Sequence, residues 1–161
     1  MDQTDFRKTL GHFATGITVI TTMDEKKQAI GLTANAFSSV SLDPPLILVC
    51  IDKKSESLQA FKEEAPFVVN ILQENQEEAC WSFAKKGDDK FEGIPHQRME
   101  DGTPYLEGNL ATIHCTVYEN INAGDHIIVT GLVHDVSFNE EESPLLFFRG
   151  KVQNLQLSHN S

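Results

Sequence analysis

Short apolar runs alternate with polar breaks along this chain, and the period of each run predicts its element. Phe6, Leu10, Phe13 and Ala14 recur at helical spacing within residues 5–14, with Thr4 placed to cap and Gly16 to stop a first helix. The following run, Ile17-Thr18-Val19-Ile20-Thr21-Thr22, is β-branched throughout and reads as a strand. A polar hairpin loop at 24–28 returns through Ala29-Ile30-Gly31-Leu32. Residues 37–42 alternate apolar and hydroxyl side chains, as a half-buried strand does. Asp43-Pro44-Pro45 then forces a turn, because proline donates nothing to a ladder. The wholly apolar Leu46-Ile47-Leu48-Val49-Cys50-Ile51 predicts a central strand.

Further helices are expected over 55–64, ending before Pro66, and over 75–85, with a strand over 67–72 between them. The last third is β-rich. Strands over 110–119 and 126–138 flank a turn at Asn122-Ala123-Gly124-Asp125, and Gly131 marks a bend. Leu145-Leu146-Phe147-Phe148 closes the pattern. Six or more hairpin-connected strands with few helices predict a mainly β protein built as an antiparallel barrel.

With 161 residues, one domain spanning 1–161 is expected. Thirteen Lys+Arg against 24 Asp+Glu leave a net charge of −11, which repels phosphate backbones and anionic lipid. Nucleic-acid and membrane partners are therefore not expected. No apolar run is long enough to span a bilayer, and the acidic start Met1-Asp2-Gln3-Thr4-Asp5 lacks the order of a signal peptide. Cys50, Cys80 and Cys115 sit among apolar neighbours without a C-x-x-C pair. They read as reduced core thiols of a cytoplasmic protein, with no metal site.

The chain has no G-x-G pair, P-loop, H-E-x-x-H or G-x-S-x-G element. Its carboxylate clusters, Glu77-Glu78 and Glu140-Glu141-Glu142, read as solvated faces. Three segments carry more. Small and polar residues from Gly31 through Thr33, Ala34, Asn35, Ser38, Ser39 and Ser41 suit a planar heterocycle rich in acceptors, although composition alone favours a plain strand–turn–strand. Cys50-Ile51-Asp52-Lys53-Lys54-Ser55, at an expected helix start, combines N–H groups with two lysines and could bind an anion. Lys85-Lys86-Gly87-Asp88-Asp89-Lys90-Phe91 could close over a phosphate or form a surface loop. Gly124-Asp125-His126 aims a histidine from a strand mouth, where it could bond a ligand or supply a proton. Arg149-Gly150 follows the last strand and could meet a phosphate or amide, whereas His12 reads as a helix-surface residue.

Taken in order, Phe13-Ala14-Thr15-Gly16-Ile17-Thr18-Val19-Ile20-Thr21, Gly31 to Pro45, Phe67-Val68-Val69-Asn70-Ile71-Leu72, Phe83-Ala84 with Asp89-Lys90-Phe91, Gly124-Asp125-His126 and Pro144 to Gly150 resemble the flavin reductase-like family. The resemblance is greatest to the small reductase components of two-component monooxygenases. It implies a homodimeric, Greek-key, FMN-binding split barrel with a few flanking helices. Such a protein would take hydride from NADH, or NADPH, to FAD or FMN and hand reduced flavin to a separate flavin-dependent monooxygenase. By position, Thr33, Ala34, Asn35, Ser38, Ser39 and Ser41 would hold the isoalloxazine and ribityl chain. Cys50, Ile51, Asp52, Lys53 and Ser55 would lie near the phosphate with Lys90 and Phe91, and Phe83 and Ala84 belong to the same cofactor-binding set. His126 would be the catalytic candidate, facing the nicotinamide with Arg149 and Gly150. The chain departs from the family pattern at Phe147-Phe148 and at Val152. Two other readings remain open: a non-catalytic flavin-binding or electron-carrier protein on the same barrel, and an oxidase of the pyridoxamine phosphate type.

Overall fold

A computed structural model describes residues 1–87 and 89–156. In chain order it runs α1 (Gln3–Leu10), β1 (Thr15–Gly16), β2 (Thr18–Met23), β3 (Ala29–Ala34), β4 (Phe37–Leu42), β5 (Pro45–Asp52), β6 (Pro66–Ile71) and α2 (Glu77–Ala84). There follow β7 (His96–Arg98), β8 (Pro104–Leu106), β9 (Ala111–Ala123), β10 (His126–Phe138), β11 (Leu145–Phe148) and β12 (Lys151–Asn154). Seven strands form one antiparallel sheet in the order β3-β2-β6-β9-β10-β5-β4, with smaller sheets β1-β11-β12 and β7-β8 beside it. Consecutive strands β3 and β4 thus lie at opposite edges, yet only Asn35 and Ala36 separate them. The sheet must curl to bring both edges to that corner. Among the described residues no ladder joins β3 to β4, so the architecture is mainly antiparallel β with an open, curled sheet.

β2 is the wall between two cores, because five of its six residues are buried. Ile20 faces a cluster with Val49, Ile51, Phe67, Val69, Cys115 and Val129. Val19 faces the other way, toward Ala79, Cys80 and Phe83 of α2, with Ile94, Leu106 and Leu145. The threonines of β2 tolerate burial because each hydroxyl finds a carbonyl: Thr21 Oγ1 donates to Pro104 at 2.6 Å and Thr22 Oγ1 to Pro66 at 2.7 Å. Asn70 on β6 is the most connected polar group. Its Nδ2 donates to the Val19 carbonyl (2.8 Å) and Thr21 Oγ1 (3.0 Å), while Oδ1 accepts from Leu106 N and Asn109 Nδ2, both at 2.8 Å. Gly131 causes the expected irregularity in β10: register shifts there, and a Cβ would lie 2.6 Å from Phe67 Cζ.

Several expectations are corrected. The helix over 55–64 is only a 3-10 turn, Leu58–Ala60. Asp52 and Ser55 side chains accept from Lys54 N and Ser57 N, which diverts the backbone from a helical ladder, and Leu58 and Phe61 are drawn into the core. The first helix starts earlier and is capped by Asp2, whose Oδ1 accepts from Thr4 N at 3.0 Å, rather than by Thr4. Its apolar stripe is not covered by this chain: Phe6, Leu10 and, beyond the helix, Phe13 are exposed by 46%, 58% and 77%. β5 is one strand in from the edge and buries only alternate residues, Ile47, Val49 and Ile51. The β7–β8 hairpin and β12 carry no alternation in sequence and were not foreseen.

The β7–β8 hairpin is tied to the large sheet through Asp101, whose Oδ2 lies 2.9 Å from His114 Nε2. Burial, the largest influence, pushes the Asp101 carboxyl up, but bonds from Thr103 and the nearby His114 together outweigh it and leave it below the usual range. A carboxyl lowered by folding stabilises above its unfolded pKa, and that contribution is lost as pH falls through the folded value. Asp101→Asn should cost less than about 1 kcal/mol at neutral pH, since the pair is partly solvated, and nothing at strongly acid pH; urea titrations at both pH values measure it. Asn70→Leu should cost about 2–4 kcal/mol by stranding its buried partners, read from the same titrations.

Candidate functional site

The site is built on a close approach between β3 and α2. Gly31 carries no side chain, and a Cβ there would lie 2.8 Å from Phe83 Cε1 and 3.2 Å from the Ile20 carbonyl. The Phe83 ring therefore seats on bare backbone, and Thr33 Oγ1 fastens the same two elements by donating to the Cys80 carbonyl at 2.7 Å. Phe91 stands edge-on to Phe83, with ring centres 4.7 Å apart. His96 packs on Phe91 in turn, at 4.8 Å. Lys90 reaches across to donate from Nζ to the Gly31 carbonyl at 3.3 Å. Burial pushes the Lys90 ammonium below its ordinary pKa, and Glu56 partly offsets this.

These contacts border a cavity of about 940 Å³, within the usual size range of ligand sites. Its walls come from the β2–β3 hairpin (Asp24, Gln28 to Gly31), from Glu56 and Ser57, and from Gly87, Asp89 to Glu92 and His96. A second hollow of about 330 Å³ adjoins it and shares Asp24, Gln28, Ile30 and Glu56. In the larger cavity Lys90 and His96 stand among four carboxylates, with Phe91 and Ile30 as apolar surface.

A separate cluster forms at the end of β5 and β10. His126 is the cross-strand partner of Asp52, and Lys53 N donates to the Asp125 carbonyl at 3.0 Å. His126 Nδ1 lies 2.7 Å from Asp125 Oδ1. A carboxylate oxygen accepts, so Nδ1 carries the proton and Nε2 is the outward nitrogen. That hydrogen bond, then the His126 charge, hold the fully exposed Asp125 carboxyl below its usual pKa.

Of the residues singled out from sequence, Lys90 and Phe91 line the large cavity, while Phe83 supports it from behind at 1% exposure. Ile51 is fully buried in the core, so its side chain is not available to a phosphate. The expected α-helix after Ser55 is only the 3-10 turn Leu58–Ala60, so the segment has no α-helix N-terminus, and Cys50, Asp52, Lys53 and Ser55 lead from β5 toward the His126 cluster. Ala34 is buried and its carbonyl accepts from Thr18 Oγ1. Asn35, Ser38 and Ser39 are exposed around the corner where the sheet edges meet, and Ser41 is half-buried beyond a bulge at Val40. Ala84 is exposed at the end of α2. Arg149 and Gly150, with φ of 52° and 76°, form a two-residue hairpin turn, and Arg149 lies 4.8 Å over the Phe148 ring. Asp88 lies outside the described residues. Sequence reasoning missed Asp24, Glu56 and His96, which reach the cavity from two loops and the start of β7 and share no spacing.

The model of the flavin reductase like domain matches residues 10–156. The chain belongs to the flavin reductase-like family. It is 39% identical over 156 residues to the reductase subunit HsaB of a flavin-dependent monooxygenase from Rhodococcus jostii, covering 97% of this chain and 80% of the relative. A flavin reductase of Pseudomonas putida is 39% identical over 145 residues, which is 90% of this chain and 85% of the relative. Among solved structures, the nitrilotriacetate monooxygenase component B homologue of Mycobacterium thermoresistibile superposes with a TM-score of 0.92 at 41% identity, covering 99% of this chain and 90% of that one. The NADH:FAD oxidoreductase SgcE6 of Streptomyces globisporus follows at 0.90 and 31% identity, covering 97% and 95%.

Gly31 is the most exacting position of the cavity wall. Gly31→Ala should destabilise by about 1–3 kcal/mol because Phe83 has to move. Gly16→Ala, where a Cβ meets nothing within 4 Å, should stay within about 0.5 kcal/mol of the parent; thermal unfolding of the two variants compares them.

Proposed function

We propose that this chain is an NAD(P)H-dependent flavin reductase, taking hydride from NADH or NADPH to FAD or FMN and supplying a separate flavin-dependent monooxygenase. The observation that carries this is agreement in sequence and fold, over nearly the whole chain, with reductase components and with an NADH:FAD oxidoreductase. The residues present fit such a cofactor. The cavity has the volume for a nucleotide-bearing heterocycle, and its one ammonium, Lys90, is half-buried and held by a single carbonyl.

A bound flavin supplies a ring system that accepts hydride from a dihydronicotinamide. The protein's part is to bind, orient and exclude water. Lys90, now on the Gly31 carbonyl, would hold a phosphate oxygen, and Phe91 would cover the apolar side. Asn35, Ser38 and Ser39 offer amide and hydroxyl donors to ring carbonyl and nitrogen acceptors. Asp125 fixes the His126 tautomer, so that Nε2 would face the nicotinamide side as an acceptor when neutral and a donor when protonated. Asp24, Glu56, Asp89 and Glu92 weaken the hold on phosphate, which suits exchange with a partner enzyme over permanent retention.

We read the curled sheet as a single-domain split barrel, supported by the two-residue corner between its edge strands. A homodimer accords with the uncovered Phe6, Leu10 and Phe13 and with the half-buried outer residues of β5. A cytoplasmic location accords with the three unpaired cysteines, of which Cys115 is pushed up to about 12 by burial. No described helix is long and apolar enough to cross a membrane.

Anaerobic oxidation of NADH and NADPH, with riboflavin, FMN and FAD each in excess, should show flavin-dependent loss of dihydronicotinamide absorbance. A protein that binds flavin without accelerating this loss would be a carrier, and one that consumes an amine without nicotinamide would be an oxidase. His126→Ala should slow single-turnover hydride transfer by less than about 10-fold; an unchanged rate removes His126 from the mechanism. Light scattering should give twice the chain mass, reduced toward one by Phe13→Asp.

A further inference from the structure

We propose that His96 is a second phosphate-binding group of the cavity, and that it takes up a proton at Nε2 as the phosphate of the flavin arrives. The inference rests on the flavin-binding reading above, and assigns a role to a residue outside the set drawn from the sequence. His96 opens β7 and lines the same cavity as Lys90. Its Nδ1 lies 2.7 Å from the Ile94 carbonyl. A carbonyl can only accept, so Nδ1 carries a hydrogen in every protonation state that keeps this bond. The ring plane is held as well, packed at 4.8 Å against Phe91, which leans on the fully buried edge of Phe83.

The nitrogen that remains, Nε2, has no bonding partner among the described residues. In the neutral ring it is a lone pair, and a lone pair against a phosphate oxygen brings two acceptors together. A proton from solvent converts that contact into a charge-assisted hydrogen bond, Nε2–H donating to the oxygen. Asp24, Glu56, Asp89 and Glu92 line the cavity, the Glu107 carboxylate accepts from Gln97, the next residue of β7, and among the described residues Lys90 is the only other base in the lining. One ammonium among so many carboxylates leaves a phosphate under-compensated. A protonated His96 supplies the missing positive charge where the aromatic ladder already holds it.

Calorimetry at about pH 8, where a free imidazole is neutral, tests this in buffers of differing ionisation enthalpy. Riboflavin, FMN and FAD are titrated in turn. The FAD pyrophosphate does not ionise near neutrality, so its heats report protons taken by the protein. FMN and FAD should draw roughly 0.5–1 proton each and riboflavin close to none. His96→Gln should abolish the uptake and weaken FMN and FAD about 10-fold while leaving riboflavin within about 2-fold. His96 is exposed, and the wild-type measurement needs no variant at all. Buffer-independent heats for FAD in the wild type overturn the proposal, as does uptake that persists in His96→Gln or is equal with riboflavin. If none of the three flavins binds, the flavin-reductase reading falls and this inference with it.

Discussion

The seating of the Phe83 ring on the bare backbone of Gly31 is the contact on which the rest of the site depends. It sets how near α2 lies to β3, and so where the chain leaving α2 begins. Phe91 and His96 are stacked outward from that ring, and Lys90 returns to the carbonyl of the same glycine. A side chain at residue 31 would shift the base of this ladder, and every group above it would follow. The hydrogen bond from Thr33 to Cys80 holds the same spacing from the other side of the glycine. Packing thus positions the charged groups here, and charge pairing plays the lesser part.

Electrostatics then decide how firmly a ligand is held. A chain of net charge −11 meets phosphate only where local donors overcome the general field. In the cavity these donors are few and closely surrounded by carboxylates. Under the proposed function a phosphate would be accepted there without being trapped, as a protein that passes reduced flavin to another enzyme requires. The His126 cluster obeys a different logic: Asp125 orients the imidazole on an exposed turn, and Lys53 lies next to it through a backbone contact.

Much of this was legible along the chain. The runs that became β2, β4, β10 and β11 carry strong β-branched or alternating patterns, and their ends lie within a residue or so of expectation. The resemblance to the family rested on ordered local segments, and of the residues it marked, Lys90 and Phe91 line the large cavity while His126 stands in a separate cluster beside Asp125. The segment after β5 was misread because its composition suits a helix, whereas Asp52 and Ser55 bond their own backbone and the core draws in Leu58 and Phe61. Phe6, Leu10 and Phe13 were legible as an apolar stripe, but nothing local says that the same chain leaves it uncovered.

The sequence by itself determined which segments are strands, because side-chain branching and alternation act within a few residues. It also determined the acidic field and the family, since both are sums over residues irrespective of their arrangement in space. Only the tertiary structure decided which edges of the sheet meet, that Asp24, Glu56 and His96 share one cavity with Lys90, and that Ile51 and Phe83 face inward. These depend on contacts between residues far apart in the chain, where no spacing rule operates and the curl of the sheet sets the distance.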